Sequence, residues 1–281
     1  MAKKRRARDK ERGKNWLRYL IWIGSAAAIL SLILPIFAVS TPKPTPVPSP
    51  TRPPAKKAAI VDQIAVSRPS PEFISTASAY LRNAGFEVDV YQGQDITVEF
   101  YRTLPAKGYK WIVLRTHSTN EVAETELPGN PVYLFTGEHH SKDRYIREQL
   151  SLQIIRSKLL YEDSPWFFAI GPEFIRRSMV GRFDDTLIII SGCQSLNTLD
   201  LAKAFVERGA SAVVGWDDWV DLAHNDRATL YLLFALSVER LTIKEAVEET
   251  MAQVGPDPTY ESVLTYYPPE RGHETLWTIA P

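Results

Sequence analysis

Short apolar runs alternate with segments of helical spacing between residues 58 and 281, and this alternation limits the fold more than any other feature of the chain. The runs at 109–116 (YKWIVLRT), 186–191 (TLIIIS) and 211–216 (SAVVGW) are rich in contiguous apolar residues, a pattern typical of strands that are covered on both faces. Strands that alternate with helices join in parallel through right-handed crossovers. The sequence therefore predicts an α/β domain with a mostly parallel central sheet.

The remaining predicted elements fill the intervals between these strands. Ser70 before Pro71 predicts the start of a helix, and Thr242 with Glu245 predicts a capping box that opens another. Apolar periodicity predicts further strands at 58–66, 86–91, 132–136, 260–267 and 274–279, and helices at 97–104, 145–160, 199–208 and 226–239. Because no internal repeat accompanies this alternation, residues 58–281 are expected to form one domain.

The first 57 residues differ from the rest in charge. Residues 1–57 carry 13 Lys and Arg against two acidic residues, whereas 58–281 carry 20 basic against 31 acidic residues. A body this acidic is a poor ligand for a phosphate backbone, so nucleic acid is not expected as a partner. The single cysteine, Cys193, excludes an internal disulfide and a Cys-rich zinc site.

An apolar segment behind the basic N-terminus predicts a membrane anchor. Residues 19–39 run for 21 residues without a charge, which is long enough for a helix that crosses a bilayer core of about 30 Å. We therefore expect a basic cytoplasmic tail at 1–15 and a single-pass transmembrane helix at 16–39, with the C-terminal domain on the outer side of the cell membrane. A cleaved signal peptide, with small residues at 38–40 as its cleavage site, is the alternative.

A proline-rich linker at 40–57 follows the predicted anchor. It holds seven prolines, a composition that favours polyproline II and cannot build a core. At ~3.1 Å per residue this linker would be a semi-rigid spacer of roughly 50 Å between the membrane and the domain.

Two chemically reactive side chains directly follow predicted parallel strands. His117 comes straight after the strand at 109–116, and Cys193 comes two residues after the strand at 186–191. Ligands of open α/β sheets bind beyond the carboxyl ends of strands, and neighbouring strands lie ~4.8 Å apart. Because an adjacent imidazole activates a thiol, the two residues form a candidate catalytic dyad. Taken singly, a lone cysteine is more often a small buried apolar residue, and a lone histidine more often a surface residue.

The order of these motifs resembles that of the caspase-like cysteine peptidases, which include caspases, gingipains and bacterial CHAT domains. A strand followed by His precedes a strand followed by Gly-Cys-Gln. The stretch from Ser191 onwards (SGCQSLNTLDLAKAFVERGASAVVGWDDWVD) is similar to the CHAT and gingipain arrangement. The resemblance covers residues 58–281, and it implies a caspase-like three-layer sandwich with cysteine endopeptidase activity.

The resemblance also implies a role for particular residues. His117 would be the general base and Cys193 the nucleophile, while the backbone N–H groups of Ser118 and Cys193 would stabilise the oxyanion. The family usually has glycine where this chain has Ser118, so strain of roughly 1 kcal/mol or more is expected if that position needs a positive φ. The long segment between the two motifs is expected to hold an extra hairpin, a cleavage loop or a substrate lid.

The segment after the strand at 211–216 is the expected substrate-binding region. Trp216, Asp217, Asp218 and Asp221 lie where the family has its specificity pocket, and an acidic pocket would favour Arg or Lys at the cut site. In the alternative interpretation these acids are solvated or cap the next helix, and the tryptophan packs in the core.

No cofactor or metal is expected. The run Glu138-His139-His140 would place neighbouring side chains on opposite faces of an extended chain, and the sequence has no GxGxxG, Walker A, HExxH or GxSxG motif. The leading hypothesis is a membrane-anchored cysteine endopeptidase that acts on a protein or peptide substrate. The alternatives are a catalytically inactive relative that binds a peptide or partner, and an unrelated α/β protein in which Cys193 is buried.

Overall fold

A computed structural model of the chain describes residues 56–120, 129–159, 161 and 163–279, in which strands and helices alternate. The strands are β1 (Lys57–Asp62), β2 (Glu87–Gln92), β3 (Tyr109–Arg115), β4 (Ser118–Thr119), β5 (Tyr133–His139), β6 (Ile154–Lys158), β7 (Trp166–Ile170), β8 (Thr186–Ser191), β9 (Ala210–Trp216) and β10 (Leu264–Tyr267). The α-helices are α1 (Pro71–Asn83), α2 (Val98–Thr103), α3 (Ile146–Leu150), α4 (Pro172–Arg177), α5 (Asp200–Glu207), α6 (Leu222–Ser237), α7 (Ile243–Gln253) and α8 (Leu276–Ile279). Short 3₁₀ turns lie at Gln63–Val66, Gly93–Asp95, Leu104–Lys107 and Pro269–Arg271.

The larger sheet of the described residues has six strands in the order β10-β9-β8-β3-β1-β2. Neighbouring strands are parallel except for β10, which runs antiparallel to β9. The two central strands are almost wholly buried: every residue of β8 is buried, and so is every residue of β3 except Lys110. The predicted α/β fold with a mostly parallel sheet is confirmed.

Helices cover both faces of this sheet. On one face Ile60, Val113 and Ile189 belong to an apolar cluster with residues of α1, α6 and α7. On the other face Leu114 and Ile190 pack with residues of α2, α4 and α5. Full burial of such a side chain contributes ~1.5–3 kcal/mol to folding, so the two clusters hold the central strands in place from both sides.

A second sheet lies between the two sequence motifs. It has the order β4-β5-β7-β6 with antiparallel pairing, and all of its strands come from the segment between β3 and β8. The segment for which a hairpin, a cleavage loop or a lid is expected therefore holds a four-stranded sheet, whose first strand begins directly after His117.

Two secondary-structure predictions are wrong. The helix predicted at 145–160 is limited to α3, and its second half forms β6, because Ile154 and Ile155 are buried in the sheet while Leu150 is 82% exposed. The apolar residues of this segment therefore do not share one helical face. The strand predicted at 274–279 is also wrong, since Leu276–Ile279 is helical.

The predicted helix starts are confirmed. Ser70 caps α1 by accepting a hydrogen bond from the Phe73 N–H at 3.3 Å. Thr242 and Glu245 form both hydrogen bonds of a capping box at the start of α7. A side-chain cap of this kind typically stabilises a helix by ~1 kcal/mol, which is why local sequence suffices to predict it.

None of the helices in the described residues is both long and apolar enough to cross a membrane. The predicted tail at 1–15, the predicted anchor at 16–39 and nearly all of the linker at 40–57 lie outside the described residues.

A buried ion network joins the ends of β1 and β3 to the first turns of α6. The Arg115 guanidinium lies 2.7 Å from Asp62 Oδ1 and binds both carboxylate oxygens of Asp226, at 2.7 and 2.9 Å. Arg115 is 1% exposed and Asp62 is fully buried, so these partners replace water around both charges. Since Arg115 comes two residues before His117, the network fixes the start of the segment that carries the histidine.

We expect Arg115→Met to lower the free energy of unfolding by about 3–5 kcal/mol, because it leaves the Asp62 carboxylate buried without its cation. The matched control on the same strand is Lys110→Met, whose partner Asp184 is 80% exposed, and this change should cost about 0–1 kcal/mol. Urea unfolding at pH 7 measures both values. Similar losses in the two variants would contradict a special role for the buried network.

Candidate active site

The two reactive residues lie at the same edge of the larger sheet. β3 and β8 pair in parallel with Arg115 opposite Ser191, and the Thr116 N–H extends the pairing by donating to the Ser191 carbonyl at 3.1 Å. His117 and Cys193 each follow this last pair by two residues. Both line one cavity of about 870 Å³, so the fold brings the imidazole and the thiol of the predicted dyad to a common site.

The backbone of His117 is held by a buried glutamine that sequence analysis missed. Gln63 Oε1 accepts the His117 N–H at 3.0 Å, and its Nε2 donates to the Thr136 carbonyl at 3.2 Å. On the other side of the histidine, the Phe135 N–H donates to the His117 carbonyl at 2.9 Å. Gln63 lies within the strand predicted at 58–66. The sequence signal that could have found it is the polar pair Asp62-Gln63 inside an otherwise apolar run.

The His117 ring is an uncharged base at neutral pH. Its Nε2 is buried and has no hydrogen-bond partner among the described residues, and the ring packs edge-on against Phe135 with centroids 6.0 Å apart. Burial, with a smaller contribution from the Arg115 charge, lowers the pKa of His117 to about 4. A neutral imidazole has a free lone pair, so it can accept a proton from a thiol.

The Cys193 thiol is also uncharged in this environment. Its Sγ lies 3.6 Å from the Val220 carbonyl oxygen and packs at the edge of the apolar cluster on one sheet face. Burial raises the pKa of the thiol; hydrogen bonds with the backbone of Val220 and Cys193 offset part of this, and the charges of Asp257 and Asp218 add to it. The pair is therefore a thiol and a neutral imidazole, not a preformed ion pair.

Ser118 connects the two halves of the site. Its Oγ donates a hydrogen bond to the backbone carbonyl of Cys193. Ser118 lies in the strand β4 and not in the left-handed region, so the strain expected from having serine in place of glycine is absent. Ser118 lies opposite Leu134 in the antiparallel pair of β4 and β5. Because the Phe135 N–H donates to the His117 carbonyl, Ser118 and Leu134 form a non-hydrogen-bonded pair. The Ser118 N–H therefore points away from β5.

The peptide unit after Cys193 is fixed at both of its polar atoms. The Cys193 carbonyl accepts from Ser118, and the Gln194 N–H donates to the Asp218 carbonyl at 2.8 Å. Gln194 has a φ of +53°, a left-handed conformation that costs a non-glycine residue roughly 1–2 kcal/mol. Such strain is retained where the surrounding contacts determine it, and it is common beside catalytic groups.

Gly192, directly before Cys193, lies too close to the segment after β3 to carry a side chain. A Cβ on Gly192 would lie 2.3 Å from the Thr116 carbonyl oxygen and 2.9 Å from Ser118 Oγ. Any side chain at this position would push the segments that carry His117 and Cys193 apart.

Most of the predicted substrate-binding residues do not line the cavity that holds His117 and Cys193. Trp216 is fully buried and its indole N–H donates to Asn225 Oδ1 at 2.8 Å. Asp217 accepts from the Val263 N–H, Asp218 from the Trp219 N–H, and Asp221 caps α6. Of these four residues, Asp221 lines the cavity with His117 and Cys193, and the other three do not.

The second sheet supplies a wall of the cavity. The cavity is lined by Ser157 and Lys158 of β6, the following Leu159 and Trp166 of β7, and also by the segment 219–222 with Thr259 and Tyr260. Among the described residues there is no group of three or more His, Cys, Asp or Glu side chains that could hold a metal ion.

Comparison with known proteins gives no independent assignment. No protein-family model matches the chain, and a search of curated proteins finds no significant match.

We expect protonation of His117 to destabilise the fold, because its pKa is lower in the folded protein than in the unfolded chain. Stability should fall as the pH drops below about 6.5, the ordinary pKa of histidine, and by pH 5 the loss should reach about 2 kcal/mol. Urea unfolding of the wild type and of His117→Asn from pH 7.5 to 5 isolates this contribution. Equal losses in both proteins would show that the pKa of His117 is not lowered.

Proposed function

We propose that the chain is a cysteine endopeptidase of the caspase-like type, in which His117 is the general base and Cys193 the nucleophile. The observation that carries the proposal is that two segments 76 residues apart meet, with an imidazole and the only thiol of the chain in one cavity. The larger sheet with helices on both faces supports a caspase-like three-layer sandwich over residues 58–281.

In the proposed reaction the proton moves together with the attack. His117 takes the thiol proton as the sulfur attacks the scissile carbonyl carbon, and the carbonyl oxygen becomes an oxyanion. As the C–N bond breaks, the imidazolium gives its proton to the leaving amine, and a thioester remains on Cys193. His117 then takes a proton from water, the oxygen attacks the thioester, and the sulfur leaves with that proton as the carboxylic acid is released.

The low pKa of His117 and the raised pKa of Cys193 suit this order of events. Neither group is charged before the substrate binds, so the sulfur becomes a strong nucleophile only when a carbonyl carbon lies in position. For the oxyanion we propose the backbone N–H groups of Ser118 and Cys193, which belong to the two segments that the Ser118 hydroxyl holds together.

A second candidate function is peptide binding without catalysis. The uncharged state of both groups favours this function, because an uncharged thiol is a poor nucleophile and a buried imidazole is a weak base. We also retain the proposal that residues 16–39 anchor the chain in the cell membrane, with the domain on the outer side.

We expect a peptidyl acyloxymethyl ketone to label the full-length protein at Cys193, with a thioether formed and a carboxylate released. In His117→Ala the labelling should be about 10²–10⁴-fold slower, because no base then takes the thiol proton. Mass spectrometry of the labelled peptides measures both rates. His273→Ala is the matched control, since His273 is exposed and lies outside the cavity, and it should react like the wild type.

These results separate the candidate functions. Equal labelling of the wild type and His117→Ala would contradict the dyad. Absence of labelling and of peptide cleavage, together with peptide binding that survives in Cys193→Ser, would support the binding function instead. Reaction only after unfolding would show that Cys193 is merely buried.

We expect Gln63 to act as a positioning residue for His117. Gln63→Leu leaves the His117 N–H without its acceptor and should lower kcat by about tenfold with little change in KM. Gln63→Glu keeps an acceptor but adds a negative charge, which should raise the pKa of His117 and move the acid limb of the pH–rate profile upwards. An unchanged kcat in Gln63→Leu would contradict the positioning role.

A further inference from the structure

Each acid behind the expected preference for Arg or Lys uses one carboxylate oxygen to bind the protein backbone. Asp217 accepts from the Val263 N–H at 2.8 Å, and Asp218 accepts from the Trp219 N–H at 2.8 Å. Asp221, which lines the cavity, accepts from the Ala223 and His224 N–H groups at the start of the 16-residue helix α6. The positive end of that helix partly offsets its charge, so these carboxylates hold the loop in shape instead of forming a cation pocket.

The other charges that line the cavity among the described residues are positive. Arg68 and Lys158 both lie on its lining with exposed side chains. Within the described lining, these two cations stand against one carboxylate, that of Asp221, which also caps α6. An arginine or lysine side chain that enters the cavity would therefore meet the like charges of Arg68 and Lys158.

Apolar and aromatic side chains form most of the remaining lining. The aromatic members among the described residues are Phe135, Tyr161, Trp166, Trp219 and Tyr260. Trp166, Tyr161 and Tyr260 leave a third or more of their surface exposed. Large aromatic side chains that are grouped and open to solvent mark a binding surface, because the same area would be buried if it served only to pack the fold.

The aromatic wall nearest to the nucleophile is fixed in advance. Val220 contacts the Cys193 sulfur through its carbonyl, and the neighbouring Trp219 packs against Tyr260 with ring centroids 6.5 Å apart. The Trp219 carbonyl accepts from Ser262 Oγ at 2.6 Å. The buried Asp257 carboxylate accepts the N–H groups of Asp221, Thr259 and Tyr260, so both loops of this wall share one anchor. A wall that is already ordered binds without an ordering cost.

We infer that the cavity selects peptides with a large aromatic side chain next to the carbonyl that Cys193 attacks, and that Trp219 is the specificity-determining residue. The inference rests on the proposed peptidase function and names its substrate class.

Three matched probes test this inference on the full-length protein. They are peptidyl acyloxymethyl ketones that differ only in the residue next to the ketone, which is Phe, Arg or Asp. The second-order rate constant for labelling of Cys193 should be at least about tenfold higher for the Phe probe than for either of the others. Equal or faster labelling by the Arg or Asp probe would overturn the inference and leave the proposed function intact. No labelling of Cys193 by any probe would overturn the proposed function and this inference with it.

Variants of the lining segment 219–222 locate the source of the selectivity. Trp219→Ala should slow the Phe probe by about tenfold and leave the Arg probe little changed, while Trp219→Phe should restore most of the rate. Because the hydrogen bonds of Trp219 that hold the loop are made by its backbone, we expect both variants to fold, which urea unfolding of Trp219→Ala and Trp219→Phe checks. Asp221→Asn, which keeps a capping side chain, should not slow the Arg probe selectively. A selective loss there would show that Asp221 recognises a basic residue and would overturn the inference.

Discussion

Pairing between the two central strands is the constraint on which the site depends. β3 and β8 are parallel and in register from Trp111 opposite Leu187 to Arg115 opposite Ser191, so residues at equal distances beyond their ends arrive at the same edge. A shift of this register by one residue would turn every side chain of a strand to the opposite face. Since both strands are buried on both faces, the apolar clusters oppose such a shift. Packing far from the cavity thus sets the position of the polar pair within it.

The His117 ring is uncharged at neutral pH, and the charged Arg115 lies only two residues before it. Burial of the ring is the main reason that it stays uncharged. Arg115 is bound by Asp62 and Asp226, and those carboxylates neutralise it locally. The guanidinium still lowers the pKa of His117, but burial of the ring is the larger cause. The resulting neutral imidazole differs from the imidazolium of a preformed ion pair, which is why the proposed reaction has the proton transfer in the same step as the attack on the carbonyl.

Local signals in the sequence predicted those parts of the fold that depend on local interactions. Contiguous apolar residues marked β3, β8 and β9, and the side chains of Ser70 and Thr242 marked two helix starts. The convergence of His117 and Cys193 was predictable because the ends of parallel strands meet at one edge. Gln63 and the cavity wall at β6 were not, since a buried amide and a short antiparallel strand acquire their roles only from partners distant in the chain. The predicted helix over β6 failed for the same reason: tertiary pairing outweighed apolar spacing.

The second sheet connects the cavity wall directly to His117. His117 lies between β3 of the larger sheet and β4 of the second, and β5 holds it through the Phe135 N–H and through contact of the two rings. β5 pairs with β7, which carries Trp166 into the cavity. In the proposed peptidase, a peptide that packs against Trp166 would contact the sheet that fixes the histidine. Because a base must lie within hydrogen-bond reach of the proton it takes, small movements of this sheet change the geometry of the dyad. In the proposed peptidase, the segment between the two motifs then serves both to recognise the peptide and to position the base.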